Sequence, residues 1–330
     1  MAQKRRLLIS GLKLEATNCA WGAGHACRAA GAGAGSRRFG VRETCMSKAA
    51  GRPAGGASAE AIQAHYDVGN GFYRLWLDPT LTYSCALWAG EDDTLEAAQQ
   101  RKLDWIAEPA IRRGAKHVLD IGCGWGGMLA HLGAKGVESR VGLTLSQEQH
   151  DYVAALKLPG VEVRLDSWRD HRPDRPYDAI VSVGAFEHFA DLDLSEAHRL
   201  AIYQEFFAAC HAWLVPGGTL TLQTIAYGPV PALLGRELFL DYFPESDLPK
   251  PFEIFKACED LFEVNVLRND REDYIRTLKA WHRNLRAHRD AAVAEVGEAK
   301  VEFYKRLRGF EAMIAGEPMP ALETIPDAVS

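Results

Sequence analysis

The sequence of 330 residues predicts an α/β fold in which a parallel sheet is covered by helices on both faces. Two observations carry this prediction. Apolar runs of strand type alternate with helical segments from residue 117 to residue 226, which is typical of βαβ units. A glycine-rich turn, VLDIGCGWGG at Val118–Gly127, ends the first of these strands and opens a helix, and ligands bind at such turns in open parallel sheets.

The N-terminal part of the chain differs in composition from the rest. Residues 1–58 carry ten Lys and Arg against two Glu, a net charge of +8; since the whole chain has −6, residues 59–330 carry −14. The segment is rich in Gly, Ala and Arg, so we expect a disordered basic leader that adds little stability. A start at Met46 and a targeting peptide are two alternatives. A nucleic-acid partner is disfavoured because the remaining chain is acidic.

Composition restricts the class further. The chain is 47% hydrophobic and 25% charged, as in ordinary globular proteins. No apolar run approaches the roughly 18 residues that span a bilayer, so we expect at most peripheral membrane contact. The seven cysteines are dispersed, without a CxxC pair or zinc-ligand spacing. This pattern predicts reduced thiols, a cytoplasmic location and no metal site.

Two segments outside the alternating pattern have predicted roles. Residues 59–105 predict a helical cap, with two short helices broken at Gly69–Asn70 and a third helix capped by Thr94. Residues 226–256 are rich in prolines and aromatics, and insertions of this kind often cover an active site, so we expect a lid there. Cap and lid would belong to one domain that spans residues 59–330.

A carboxylate in apolar surroundings is the first candidate for chemistry. The stretch VSVGAFEHF at residues 181–189 places Glu187 and His188 among phenylalanines at the end of a strand. Ionised carboxylates rarely remain in such surroundings without a partner or a task. Glu187 is therefore a candidate catalytic residue, with a structural ion pair as the alternative. For His188 we expect a packed, hydrogen-bonded side chain.

Several motifs resemble those of a known family. The turn with Asp120 before Gly122 and Gly124 resembles motif I of the S-adenosylmethionine (SAM) methyltransferases. The stretches at 65–88 (HYDVGNGFYRLWLDPTLTYSCALW), 141–149 (VGLTLSQEQ) and 181–189 closely resemble the cyclopropane-fatty-acid and mycolic-acid cyclopropane synthases, and YFPESDLP and YIRTLKAW are similar to two further motifs. The resemblance covers roughly residues 60–290. It implies a Rossmann-like class I SAM-dependent methyltransferase fold, with an N-terminal helical cap and an inserted lid.

The resemblance also implies how the cofactor is held. For Trp168, which would flank the adenine, a core aromatic is an equal alternative. The implied contacts are Tyr83, Ser84, Asp120, Gly122 and Gly124 at the methionine end, Thr144, Leu145 and Gln149 around the ribose, and Trp168 at the adenine.

A second set of residues is implied by the family's reaction. Methyl transfer to an alkene produces a carbocation, and in the family a bound bicarbonate then takes a proton. The resemblance implies that Glu187, Tyr274 and the backbone amides of Cys85 and Val183 hold that anion. Gln223 occupies the place of the family's histidine, and an amide donates a hydrogen bond but carries no positive charge. The bicarbonate site is therefore expected to be weakened or replaced.

The substrate is the least determined property. The favoured reaction is carbon methylation of an alkene in a hydrophobic acyl or polyketide-like substrate, with or without ring closure. The alternatives are methylation of a small amine or isoprenoid, and a non-catalytic SAM-binding or carrier-interaction protein. The C-terminal residues lack the family's closing strand, and the charge of −14 does not suit broad docking on anionic phospholipid. Five basic residues recur at helical spacing: Arg276, Lys279, Arg283, Arg286 and Arg289. They form either a solvated helix face or an anchor for a phosphate-bearing or carrier-bound substrate.

Overall fold

A computed structural model describes residues 5–13, 56–192, 194–227 and 245–305. Their strands form one parallel sheet. The strands are β1 (Arg5–Lys13), β2 (His117–Ile121), β3 (Ser139–Thr144), β4 (Val161–Leu165), β5 (Tyr177–Val183), β6 (Leu214–Ala226) and β7 (Phe262–Asn269). Their order is β4-β3-β2-β5-β6-β1-β7, and every neighbouring pair is parallel. The predicted parallel α/β fold is confirmed.

Helices connect the strands and precede the sheet. They are α1 (Ala59–Tyr66), α2 (Asn70–Arg74), α3 (Leu95–Arg112), α4 (Gly127–Ala134), α5 (Gln147–Ala155), α6 (Glu196–Trp213), α7 (Pro251–Cys258), α8 (Arg271–Ala287), α9 (Arg289–Val296) and α10 (Glu298–Lys305), with a 3-10 turn at Phe186–His188. Thr94 caps α3, as its position predicted, because its side chain accepts a hydrogen bond from the Ala97 amide. In the part of the chain that is described, no helix has both the length and the apolar character to span a membrane.

The sheet has a switch point at its centre. From β2 the chain continues to β3 and β4 on one side, and it returns to β5 on the other side of β2. β2 is buried along its whole length, as expected for a central strand of a parallel sheet that is covered on both faces. At such a point the connections leave in opposite directions, and a crevice opens at the carboxyl ends of the strands. Asp120, Thr144 and Val183 lie at or near these ends.

The expectation of a disordered leader is wrong for residues 5–13. These residues form β1, which lies between β6 and β7, with Leu7 opposite Leu220 and Val264. Leu7 and Ile9 are buried in the core. β6 and β7 do not pair with each other, because β1 lies between them. The sequence analysis missed this strand because Gly- and Arg-rich segments surround it. The three apolar residues LLI are enough to form a strand when β6 and β7 are both available for pairing.

Other expectations concern residues outside those described. The rest of the leader (14–55), most of the lid (228–244) and the C-terminal segment (306–330) lie there. The described end of the lid, residues 245–256, contains the start of α7.

Candidate active site

A cavity opens where the carboxyl ends of β2, β3 and β5 meet. Residues from the segment before α3, from the glycine-rich turn, from the start of α5 and from the loop after β4 surround it. The cavity is lined by every residue predicted to hold the cofactor, namely Tyr83, Ser84, Asp120, Gly122, Gly124, Thr144, Leu145, Gln149 and Trp168.

The glycine-rich turn exposes backbone to this cavity. Gly122 and Gly124 have φ of 81° and 54°, which favour glycine. A Cβ on Gly122 would lie 2.5 Å from that of Ala185, whereas one on Gly124 would enter open space. The turn therefore allows a ligand to approach the main chain at Gly124, directly before α4 begins at Gly127.

The side of the cavity beside β3 presents fixed polar groups. The Thr144 hydroxyl donates to Gln149 Oε1 at 2.7 Å, and Ser146 caps α5 by accepting from the Gln149 amide. The Gln149 side chain is thereby held with its amide nitrogen available as a donor. Trp168 packs against Phe189 and Phe206 in the core and also lines the cavity. It is therefore a core aromatic and a cavity residue at the same time.

The opposite side holds two buried charges. Asp120 is at the end of β2, and burial raises its pKa to about 7, while the charge of Lys102 acts in the other direction. Lys102 lies on α3, and burial lowers its pKa to about 8. Its Nζ donates to Ser84 Oγ at 2.8 Å.

Lys102 is a site residue that the sequence analysis missed. The signal was present in the helical spacing of α3, where Gln99 and Lys102 occupy positions of the buried face between Leu95 and Ile106. A polar residue in an apolar helical period needs a partner or a ligand.

Glu187 lies behind this cavity in an apolar environment. It is 4% exposed, and its Oε1 accepts from the Ile225 amide at 2.6 Å. In the described part of the chain its Oε2 has no hydrogen-bond partner, and the carboxylate forms no ion pair. Burial raises the pKa of Glu187 to about 7, and the amides of Ile225 and Glu187 and the hydroxyl of Thr224 oppose this shift. The structural ion pair considered as an alternative is not found among these residues.

Among the other residues of the second set, Val183 and Gln223 are opposite each other in the sheet, and Tyr274 is close enough to Glu187 for its charge to affect the Tyr274 pKa. Strand register places Val183 opposite Gln223, and the Gly184 amide donates to the Gln223 carbonyl at 3.0 Å. Burial raises the pKa of Tyr274, and the nearby charges of Cys85 and Glu187 raise it further. The pKa of Cys85 is also raised by burial and by Asp270 and Asp273. Its thiol is therefore a poor nucleophile, in keeping with a contribution from its backbone.

His188 is packed and hydrogen-bonded, as predicted. Its Nδ1 lies 2.8 Å from Ser246 Oγ, and its Nε2 lies 3.5 Å from the hydroxyl of Tyr66. Burial lowers the pKa of His188 to about 4, so the ring is neutral at physiological pH. Tyr66 lines the cavity, and Glu187 is one of the charges that raise its pKa. Tyr66 therefore connects the cavity with the surroundings of Glu187.

The predicted basic stripe is not continuous. α8 ends at Ala287, and Arg289 lies on α9, where it pairs with Glu298 and Glu302. The guanidinium of Arg276 lies 4.6 Å above the centre of the Trp88 ring. These two residues thus have structural partners. Lys279, Arg283 and Arg286 are exposed.

The parallel sheet, the glycine turn and the lined cavity are those expected of a SAM-dependent methyltransferase. Comparison with known proteins agrees. The family model described as mycolic acid cyclopropane synthetase matches residues 56–314. Cyclopropane mycolic acid synthase 2 of Mycobacterium leprae is 35% identical over 267 residues, which cover 74% of this chain and 85% of that protein.

Two solved structures are similar as well. The cyclopropane synthase MmaA2 of Mycobacterium tuberculosis aligns with a TM-score of 0.69 and 32% identity, over 79% of this chain and 95% of that one. The mycolic acid cyclopropane synthase CmaA1, in complex with SAH and CTAB, aligns with a TM-score of 0.66 and 30% identity, over 79% and 94%. The chain belongs to the mycolic acid cyclopropane synthetase family, with the Rossmann-like class I fold and the SAM cofactor that its sequence predicted.

Proposed function

We propose that this enzyme transfers a methyl group from SAM to a carbon–carbon double bond of a hydrophobic acyl substrate. The observation that carries the proposal is Glu187, a buried carboxylate with one oxygen that accepts no hydrogen bond from the described residues. A carbocation requires a negative charge, a proton acceptor and the exclusion of water.

SAM supplies an electrophilic methyl group, and the residues around Glu187 stabilise the cation that methyl transfer creates. When the methyl bonds to one alkene carbon, the neighbouring carbon becomes positive. The Glu187 carboxylate opposes that charge, and the faces of nearby aromatic rings add cation–π stabilisation. The rings of Tyr83 and Tyr274 both lie against Trp281, with centroids 5.1 and 6.2 Å from it. Raised pKa values keep Tyr66 and Tyr274 neutral, so they act as hydrogen-bond donors.

The proton that must leave has two possible acceptors. The unbonded oxygen of Glu187 suits a bound bicarbonate, whose hydroxyl would donate to it while Gln223 and Tyr274 donate to its other oxygens. Alternatively, Glu187 takes the proton directly. Proton loss from the added methyl closes a cyclopropane, whereas loss from a neighbouring carbon leaves a methyl branch.

The relatives support the substrate class. One relative is called cyclopropane mycolic acid synthase 2, and another protein was crystallised in complex with CTAB, a long-chain alkylammonium compound. We therefore propose an acyl chain as substrate, with a lipid headgroup or a carrier as the attached group. A cytoplasmic location, suggested by the dispersed cysteines, is part of the same proposal.

Product analysis with deuterated SAM tests the function. The enzyme would be incubated with vesicles of dioleoyl phosphatidylglycerol, with oleoyl pantetheine thioester, and with a small tertiary amine. We expect a mass increase and carbon NMR signals of a cyclopropane or a methyl branch on the oleoyl chain. An N-methyl signal from the amine alone would contradict the proposal.

A further inference from the structure

We propose that Lys102, together with Ser84, recognises the carboxylate of the amino-acid end of SAM, opposite Asp120. The inference rests on one part of the proposed function, the use of SAM as cofactor, and does not depend on the substrate. It concerns the single buried ammonium group on the cavity wall within the described residues.

Lys102 has fewer partners than its charge requires. It is 1% exposed and lines the cavity, and within the described chain its one hydrogen bond goes to Ser84 Oγ at 2.8 Å. An ammonium group has three N–H donors, so two are left. Burying a charge is costly unless it is paired and hydrogen-bonded. A ligand carboxylate in the cavity would complete the pairing.

Ser84 transmits this charge to the cavity. Because its oxygen accepts from Lys102, its own hydroxyl proton is directed to another acceptor, and Ser84 lines the cavity too. Gln99 fixes the backbone there, since its Nε2 donates to the carbonyls of Thr82 and Ser84 at 3.1 and 2.9 Å. Ser84 is thus held as a pre-oriented donor.

The negative charges nearby do not substitute for a ligand. Asp78 is the strongest of the charges that raise the Lys102 pKa, but its carboxylate accepts from the amides of Thr80 and Thr82 and forms no ion pair with Lys102 within 4.0 Å. Asp120 lines the cavity with a buried Oδ2 that lacks a hydrogen-bond partner in the described chain. Asp120 and Lys102 influence each other's pKa but form no ion pair within 4.0 Å.

Two separated charges of opposite sign on one wall match a zwitterion. The amino-acid end of SAM or SAH carries one ammonium and one carboxylate. Asp120 is available to the ammonium, and Lys102 with Ser84 to the carboxylate. A ligand carboxylate in the cavity then explains why a lysine occupies the buried face of α3.

Ligand truncation separates this role from a structural one. Calorimetry would compare SAH with 5′-methylthioadenosine, which lacks the whole amino-acid end, and with decarboxylated SAH. In Lys102→Met we expect SAH affinity to fall about ten- to a hundredfold, as for a lost charge-assisted hydrogen bond. The affinities for the two truncated ligands should stay within about twofold of wild type. Lys116→Met, at an exposed ion pair with Glu138, is the matched control for loss of a lysine and should leave all three unchanged.

The outcomes are distinguishable. An equal loss for all three ligands would assign Lys102 a structural role and overturn the proposal, as would unchanged SAH affinity. Failure of the wild type to bind SAH would instead refute the cofactor. If Lys102→Met does not fold, Ser84→Ala provides the same comparison, with a smaller selective loss for SAH expected; a loss shared with methylthioadenosine would again overturn the inference.

Discussion

Two buried carboxylates, Asp120 and Glu187, follow neighbouring strands of the sheet and share several properties. Each is almost fully buried, each has a pKa raised to about 7, and each has one oxygen without a hydrogen-bond partner in the described chain. They differ in their surroundings. Asp120 feels the charge of Lys102, whereas Glu187 is affected by amides and neutral hydroxyls alone. A carboxylate and an ammonium group beside one cavity suit a zwitterionic ligand, and an isolated carboxylate suits a positive charge that exists only during a reaction.

The largest expected effect separates the two carboxylates directly. Glu187→Gln should lower turnover by about 10²–10⁴-fold, because the reaction loses its proton acceptor or the residue that holds it. SAH affinity should remain near wild type, since Glu187 is not on the cavity wall. Single-turnover kinetics and calorimetry measure the two quantities. Turnover near wild type would show that Glu187 has a structural role and would refute its assignment to the reaction.

Deletion of residues 1–16 should affect the Glu187 side first. β1 pairs with β6, which carries Gln223 and the Ile225 amide, whereas β2 and β3 lie on the other half of the sheet. Loss of two buried apolar side chains costs about 3–6 kcal/mol, which corresponds to a decrease in melting temperature on the order of 10 °C. Below the new transition we expect turnover to fall more than SAH affinity. Arg6→Ala, at an exposed position of β1, is the control; an unchanged melting temperature after the deletion would mean that β1 does not stabilise the sheet.

Gly124→Val should affect only the cofactor side. SAH affinity is expected to fall by about a hundredfold or more, because the side chain would occupy the open space that the ligand needs. Gly136→Val has the same kind of positive φ and open surroundings but lies outside the cavity lining, so it controls for backbone strain. Equal effects of the two substitutions on SAH binding would attribute the loss to strain.

The lining of the cavity was also the part that the sequence predicted well. Asp120, Gly122, Gly124 and their companions lie in short local motifs, and the alternating strands fix where such motifs meet. β1 was not predicted, because a strand's place in a sheet depends on partners more than two hundred residues away, here in β6. Lys102 was overlooked for a related reason. The helical spacing of α3 indicates that Lys102 is buried, but its partners Ser84 and Asp120 cannot be read from any local pattern.

The pH dependence of two measured quantities, turnover and SAH affinity, should distinguish Glu187 from Asp120. Both have pKa values raised above the ordinary range of carboxyl groups to about 7, so each loses its charge as the pH falls through 7. Turnover at saturating SAM should fall towards a slope of about tenfold per pH unit below 7, because protonated Glu187 carries no charge. SAH affinity should weaken over the same range through Asp120. Asp120→Asn should remove the weakening of SAH binding below pH 7 and retain the pH dependence of turnover, while the loss of affinity at higher pH, where Lys102 loses its proton, should remain. Weakening of SAH binding below pH 7 in Asp120→Asn would contradict the assignment.

The smallest expected effect concerns what Glu187 holds. If a bicarbonate is bound, Gln223 supplies a neutral hydrogen bond where a protonated histidine would supply a charged one, and the pocket has no other positive charge among the groups that affect Glu187. The difference is on the order of 1 kcal/mol, or about five- to tenfold in bicarbonate affinity. Turnover should then rise with added bicarbonate, and Gln223→His should shift this rise to five- to tenfold lower concentrations at a pH where the histidine is protonated. Gln223→Leu, which removes the donor but keeps the approximate volume, should shift it upwards. Full turnover of the wild type in degassed, bicarbonate-free buffer would exclude the anion, and Glu187 would then be the group that removes the proton, which makes its isolation from any cation a direct requirement of the reaction.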